Sequence, residues 1–321
     1  MRRVLACAAL LILLAAPGAW ARDPITPLQD VHRGMTCTAL TVVQGTTISS
    51  FDVEVLDVVA QVDGEDARIL VRVSGPAVAA SGIAQGFSGS PVYCPDASGT
   101  IGNAGAISAT IGQYGNDVGL VTPIEQMLDL PARPPSGVRH APKLLRAARP
   151  LGTPLVISGL SPALGRLLER TARKQGRTVV AAPAGPLATF ALQPLVPGAS
   201  MAVALSSGAV AASAVGTVTF RDGDTVYGFG HPFESAGRRA LLLQDAYVFD
   251  VVDNPLDTDE VTSYKLAAPG HTVGTLTNDA PAAVVGTLGA APRTVPLTVR
   301  VRDLDSDTTA VQRTDLVDEI D

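Results

Sequence analysis

Hydrophobic and polar positions alternate along this chain in short runs, with the period of strands rather than helices. Phe51-Asp52-Val53-Glu54-Val55 alternates strictly, and residues 67–73 repeat the pattern with Ile69, Val71 and Val73 on one face. β-Branched residues crowd 38–43, residues 45–50 read as a turn, and Asp63-Gly64 is a second turn signal. Residues 82–93 form a glycine-rich turn running into a strand. Residues 104–112 and 118–121 read as a strand pair bent around Gly115-Asn116, followed by a short helix over 124–128. These runs predict an antiparallel β unit over 22–130.

The pattern then changes. Residues 131–150 are Pro-rich with basic residues between, the composition of a linker. A strand at 155–157 precedes a helix that starts with Ser161 as N-cap and Pro162 in the first turn and runs to about Lys174. Leu164, Leu167, Leu168 and Thr171 define its expected apolar face, Gly176 ends it, and 178–182 is a strand. The span 131–190 is thus a linker with a small αβ insert. Strand patterns return over 191–305. A hairpin is expected from 215–220 through Arg221-Asp222-Gly223-Asp224 to 225–229, with further strands at 246–252, 263–267, 282–287 and 295–301. Residues 306–321 are acidic and polar and are expected to fray. There is no internal repeat. The fold class is mainly β, with two antiparallel barrel-like units.

The first residues belong to targeting. Arg2 and Arg3 precede an apolar run over 4–16 that is too short to span a bilayer comfortably. Ala19-Trp20-Ala21 supplies small residues at the third and first positions before a cut. Residues 1–21 therefore read as a signal peptide, with Cys7 badly placed for a lipoprotein signal. The mature chain is expected to be exported, to the periplasm or outside the cell, with no integral membrane span. Cleavage leaves Cys37 and Cys94, which in an oxidising compartment are expected to form one disulfide.

Composition narrows the function. Net charge is −6 and aromatics make up 4% of residues, so the basic stripe and stacking platforms of a nucleic-acid binder are missing. Four histidines and no CxxC or HExxH pattern give a metal site little to be built from, and no cofactor is expected. A protein or peptide is the expected partner.

Candidate chemistry centres on Gly86-Phe87-Ser88-Gly89-Ser90-Pro91. A serine nucleophile needs a sharp turn that exposes its hydroxyl and aims backbone N–H groups at one spot. Glycines on both sides permit this, with the N–H groups of Gly86 and Ser88 as the oxyanion hole. An ordinary small-residue β-turn would have the same composition. The spacing resembles the Gly-Asp-Ser-Gly-Gly-Pro turn of chymotrypsin-like peptidases. It does not fit an α/β-hydrolase elbow, which continues into a helix. Where trypsin-like enzymes carry the Asp that pairs with a freed N-terminus, this chain has Phe87, which implies a turn held by packing. A base must come from the histidines. His32 lies in the approach segment and His140 in the linker, both expected to be solvated. His271 follows Pro269-Gly270 in an expected loop and is a runner-up. His231, in Tyr227-Gly228-Phe229-Gly230-His231-Pro232-Phe233, ends a strand whose glycines let another backbone or a substrate approach and is the favoured base; a buried strand-capping His is the other reading.

Three segments resemble the serine-bearing part of the SpoIVB peptidase family. They are Phe51-Asp52-Val53-Glu54-Val55, the run from Gly82 through Gly86-Phe87-Ser88-Gly89-Ser90-Pro91, and Thr122-Pro123-Ile124-Glu125-Gln126-Met127-Leu128. The family's turn reads Gly-Met-Ser-Gly-Ser-Pro, so Phe87 replaces Met. The stretch from Val215 through Gly230-His231 resembles its histidine-bearing part. The resemblance implies a chymotrypsin-like class of fold and a serine endopeptidase with Ser88 as nucleophile and His231 as base, making limited regulatory cleavages in an envelope protein. Two departures stand out. The Ser block precedes the His block, the reverse of the family's order. The family's Asp shortly before its serine falls at Ser74-Gly75-Pro76, where no carboxylate stands. Asp117, Asp222, Asp224 and Asp279 remain candidates to orient His231. The alternative function is a catalytically inactive binding module on the same scaffold.

Overall fold

The computed structural model describes residues 23–59, 66–111, 116–135, 148–150, 155–174, 179–181, 190–253 and 263–319. The signal peptide read at 1–21, His140 and the turns at Asp63-Gly64 and Gly115 lie outside them.

The first unit contains β1 (Thr36–Val42), β2 (Ile48–Val59), β3 (Arg68–Ser74), β4 (Pro91–Pro95), β5 (Ile101–Ile111), β6 (Val118–Pro123), α1 (Ile124–Leu128) and β7 (Ala148–Pro150). Strand order β4-β1-β2-β3-β6-β5, with β4 paired back to β5, closes six strands into an antiparallel barrel, and β7 pairs on β5. Alternation explains the closure. Phe51, Val53 and Val55 of β2 and Ile69, Val71 and Val73 of β3 all point inward, where they pack with Ala39, Ile83 and Phe87. Each such side chain contributes about 1.5–3 kcal/mol by leaving water. A Cys37–Cys94 disulfide ties β1 to β4 across a sequence separation of 57, with both sulfurs inside this core.

The second unit contains β8 (Leu155–Ser158), α2 (Pro162–Lys174), β9 (Val179–Ala181), β10 (Ser200–Gly208), β11 (Ala211–Asp222), β12 (Thr225–Gly228), β13 (Gly237–Val252), β14 (Tyr264–Ala280), β15 (Ala283–Leu288), β16 (Thr294–Asp303) and β17 (Thr308–Val317). Here β10-β13-β14-β15-β12-β11 also form a closed circuit, because β11 pairs with β10. The expected two barrel-like β units are therefore present. The hairpin β11–β12 turns where the sequence indicated, with Asp222 opposite Thr225 and Gly223 at φ 57°.

Three elements depart from their sequence reading. In α2 the buried residues are Gly165 and Ala172, while Leu164 and Leu167 are half-exposed. Small residues win because the helix lies directly on β9, where a methyl on Gly165 would press on the Ala181 side chain. β14 runs 17 residues, straight through the Pro269-Gly270 pair that reads as a break. Register shifts against β13 near Gln244 and Ala246 absorb that pair. The segment expected to fray forms β17, which with β16 makes an exposed hairpin held to β10 through Ser206, Ser207 and Gly208.

Candidate active site

The serine turn sits where the two units meet, and it is stitched on both sides. Toward its own barrel, Gly89 donates its N–H to the Ile107 carbonyl (2.8 Å) and Ser90 donates to Phe87 (2.9 Å). Toward the second barrel, Thr217 donates its N–H to Ser88 O (2.8 Å) and its hydroxyl to Gly86 O (3.1 Å), while the Thr219 hydroxyl donates to Gly89 O (2.8 Å). Gly89 has φ +91°, and a methyl there would collide with the Thr217 carbonyl oxygen and the Phe229 amide. No other residue type meets both demands.

The N–H groups of this turn divide into two sets. Phe87, Gly89 and Ser90 donate to the carbonyls of Ala84, Ile107 and Phe87. Among the described residues, Gly86 and Ser88 donate to none. Unspent backbone donors in a buried turn are rare in folded proteins, and these two belong to the residues expected to form an oxyanion hole.

His231 enters from the other barrel. The preceding residues Phe229 and Gly230 have φ +68° each, which swings the chain off β12 toward the serine turn. Phe229 packs against Gly216 beside Ser88 O, and Gly230 lies against Ala106, Ile107 and Ser108, with its carbonyl held by the Thr122 hydroxyl at 2.7 Å. The segments bearing Ser88 and His231 therefore meet where Gly89 lies against the Phe229 backbone, two residues before the histidine. His231 Nδ1 lies 2.7 Å from Pro232 O. A carbonyl only accepts, so Nδ1 carries the hydrogen, and Nε2 keeps the lone pair that a base requires. The Ser88 hydroxyl is fully buried and hydrogen-bonds to none of the described residues, so a Ser88–His231 hydrogen bond is not made in this structure.

The four Asp candidates separate clearly. Asp117 pairs with Arg72 at 3.7 Å on the first barrel, and Asp222 and Asp224 flank the β11–β12 turn. Asp279 is buried and accepts the N–H groups of Phe233 (2.6 Å), Glu234 (2.7 Å) and Ala236 (3.1 Å), the loop that follows His231. It clamps backbone and does not meet the imidazole. Burial pushes its carboxyl above the usual range, against three amide donors that favour the ionised form.

His32 is exposed, with its ring Nδ1 3.1 Å from the adjacent Arg33 carbonyl. His271, expected in a loop, stands in β14 with Nδ1 3.0 Å from the buried Asp245 carboxylate. That Asp–His pair lies six residues from Lys265, which touches the serine turn, or roughly 20 Å away at strand rise. A cleft of about 540 Å³ lined by Arg133, Glu234, Arg238, Arg239, Thr275 and Glu319 borders the loop after His231. Arg239 there is committed to Glu234 and Glu319 at 2.9 and 2.8 Å. Among the described residues, no three His, Cys, Asp or Glu side chains gather in a way that could hold a metal ion, and no helix is long and apolar enough to cross a membrane.

Sequence reading missed Lys265. It is 3% exposed, its Nζ donates to the Thr41 (2.9 Å) and Thr217 (3.1 Å) hydroxyls, and it sits 5.1 Å from the centre of the Phe87 ring. Alternation around Tyr264-Lys265-Leu266 gives no local signal of this, because the cover comes from the opposite barrel.

Fold and site together define a two-barrel β protein whose glycine-flanked serine turn packs against the segment that leads into His231. Residues 19–110, which include that turn, match the family described as SpoIVB peptidase S55. The matched stretch is similar to that family, and the match stops before His231. No curated protein and no solved structure matches the chain.

Proposed function

We propose that the chain is an exported serine endopeptidase of the SpoIVB type that makes limited, regulatory cuts in a partner protein of the cell envelope. Ser88 Oγ attacks the scissile carbonyl carbon while its proton passes to His231 Nε2. The carbonyl oxygen, now an oxyanion, takes the N–H groups of Gly86 and Ser88. Collapse breaks the C–N bond, the imidazolium returns the proton to the leaving amine, and water then releases the acyl group by the same steps in reverse. The observation that carries this reading is the pair of unspent donors at Gly86 and Ser88, in a turn whose other amides are all engaged.

A second reading is a binding module that kept the scaffold without the reaction. It is favoured by the complete burial of Ser88 and by the backbone carbonyl that lies on His231 Nδ1. A carbonyl orients the ring but stabilises the imidazolium less than an ion would. Labelling the protein with a fluorophosphonate and mapping the adduct separates the two. Modification at Ser88 that is abolished in His231→Ala supports the peptidase. An unmodified Ser88 on a folded protein, at reagent levels that label other serine hydrolases, supports the module.

A further inference from the structure

Lys265 is a cation buried at the junction of the two barrels. Among the described residues Lys265 makes no ion pair, and taking an ammonium out of water without one is costly. Its surroundings are specific. The aliphatic stem lies against Gly86, where the Cβ of any other residue would sit 3.1 Å from Lys265 Cβ, Cγ and Cδ. The backbone is pinned beside the turn, with Gln85 donating to Ser263 O (2.7 Å) and Lys265 donating to Gln85 O (2.9 Å). The head donates to Thr217, which passes the bond on from its own hydroxyl to Gly86 O, and it faces the Phe87 ring.

These contacts converge on Gly86 and Phe87, the two residues that lead into Ser88 in the candidate oxyanion turn. We propose that Lys265 is a positioning residue, an internal cation that acts through Thr217 and the Phe87 ring to hold the Gly86–Phe87–Ser88 turn with its free N–H groups aligned. The proposal rests on the reading of this turn given above. It assigns to a side chain within the fold the work that a freed N-terminal ammonium does in trypsin-like enzymes.

Charge on Lys265 matters to both contacts. A neutral amine is a weaker donor to Thr217 and loses the attraction of a cation for an aromatic face. Burial pushes Lys265 down to about 7, so both forms are accessible near neutrality. Few other groups face it. β1 offers Thr41, β11 offers Thr217, and the turn offers Phe87. Ser263, two residues before it, donates its hydroxyl to the exposed Asp253 carboxylate at the end of β13 at 3.3 Å. The turn is therefore ordered when Lys265 is charged and looser when it is neutral.

The test is hydrogen exchange of the full-length protein, followed through the peptide carrying residues 82–92 and corrected for intrinsic rate, beside fluorophosphonate labelling of Ser88. In the native protein, exchange at Phe87, Gly89 and Ser90 is expected to speed up roughly tenfold between about pH 6 and pH 9. In Lys265→Met, which keeps the stem and removes the charge, it is expected to be fast at both pH values. Thr217→Val, a milder change that keeps the Ser88 O contact, is expected to fall between. If wild type and Lys265→Met show the same protection and the same pH dependence, the proposal is overturned, whatever Ser88 does. If the exchange switch is present but Ser88 never labels, the positioning role stands and the peptidase reading fails. If both hold, labelling declines in step with the loss of protection as pH rises.

Discussion

The Asp279 carboxylate grips the Phe233 N–H at 2.6 Å, two residues beyond His231, and takes Glu234 and Ala236 with its second oxygen. A buried carboxylate is thus used to fix the loop that carries the candidate base, while a peptide carbonyl orients the ring itself. The chain supports its histidine through backbone from the far end of β14.

Removing that grip has a definite cost. Asp279→Ala takes the acceptor from three part-buried amides and empties a buried site, and a loss of about 1–3 kcal/mol in urea unfolding is expected, because water can reach part of this loop. Asp279→Asn, which keeps one acceptor oxygen, is expected to lose less. A change under about 1 kcal/mol in the Ala variant would show that the loop holds itself.

The docking of the two barrels predicts a sharp contrast between two glycines of similar conformation. Gly89 (φ +91°) has no room for a methyl, which would strike Thr217 O and Phe229 N, whereas Gly99 (φ +85°) faces open space. Gly99→Ala carries only backbone strain, about 1 kcal/mol. Gly89→Ala must also push the barrels apart, and is expected to lose several kcal/mol or fail to yield folded protein. Equal melting temperatures for the two variants would contradict the close approach seen here.

How far the sequence foretold this arrangement follows from where each residue's partners lie. β2 and β3 were legible because Val53, Val55, Val71 and Val73 alternate with polar residues against one continuous core. The turn at Gly86–Pro91 was legible because φ values of +90° and +91° at Gly86 and Gly89 demand glycine. β14 was cut short because Pro269-Gly270 reads as a break, yet a bulged partner strand can accommodate it. β17 was missed because its residues are exposed on both faces, so no hydrophobic period marks it. Lys265 was illegible for the opposite reason: its burial is imposed by Thr41 and Phe87, more than 170 positions away in the chain.

The disulfide gives a prediction with a size. Thiol titration of the denatured, unreduced protein after removal of residues 1–21 is expected to find no reactive cysteine. Replacing Cys37 and Cys94 with Ser is expected to lower stability by roughly 4 kcal/mol on the chain-entropy view, for a closed loop of this length. Two free thiols in the untreated protein would reject the bond.

Lys265 predicts how stability varies with pH, independently of any reaction. Its folded-state value is held near 7, below the ordinary lysine value of 10.5, by burial. Between those limits the unfolded chain keeps a proton that the folded chain has released, so stability rises with pH across that window. The contribution is complete above the unfolded value and is lost as pH falls through about 7, where the fold must bury a charge. Lys265→Met carries no such charge. It is therefore expected to be more stable than wild type at about pH 6, by an amount on the order of a few kcal/mol, with the gap narrowing steadily toward pH 9. All other titrating groups are shared, so they cancel in the difference between the two proteins. Urea unfolding of both at several pH values measures that difference directly. Parallel curves would mean that Lys265 titrates normally in the fold and reaches water. A converging pair would mean that the chain bears the cost of an unpaired cation beneath Phe87 at neutral pH.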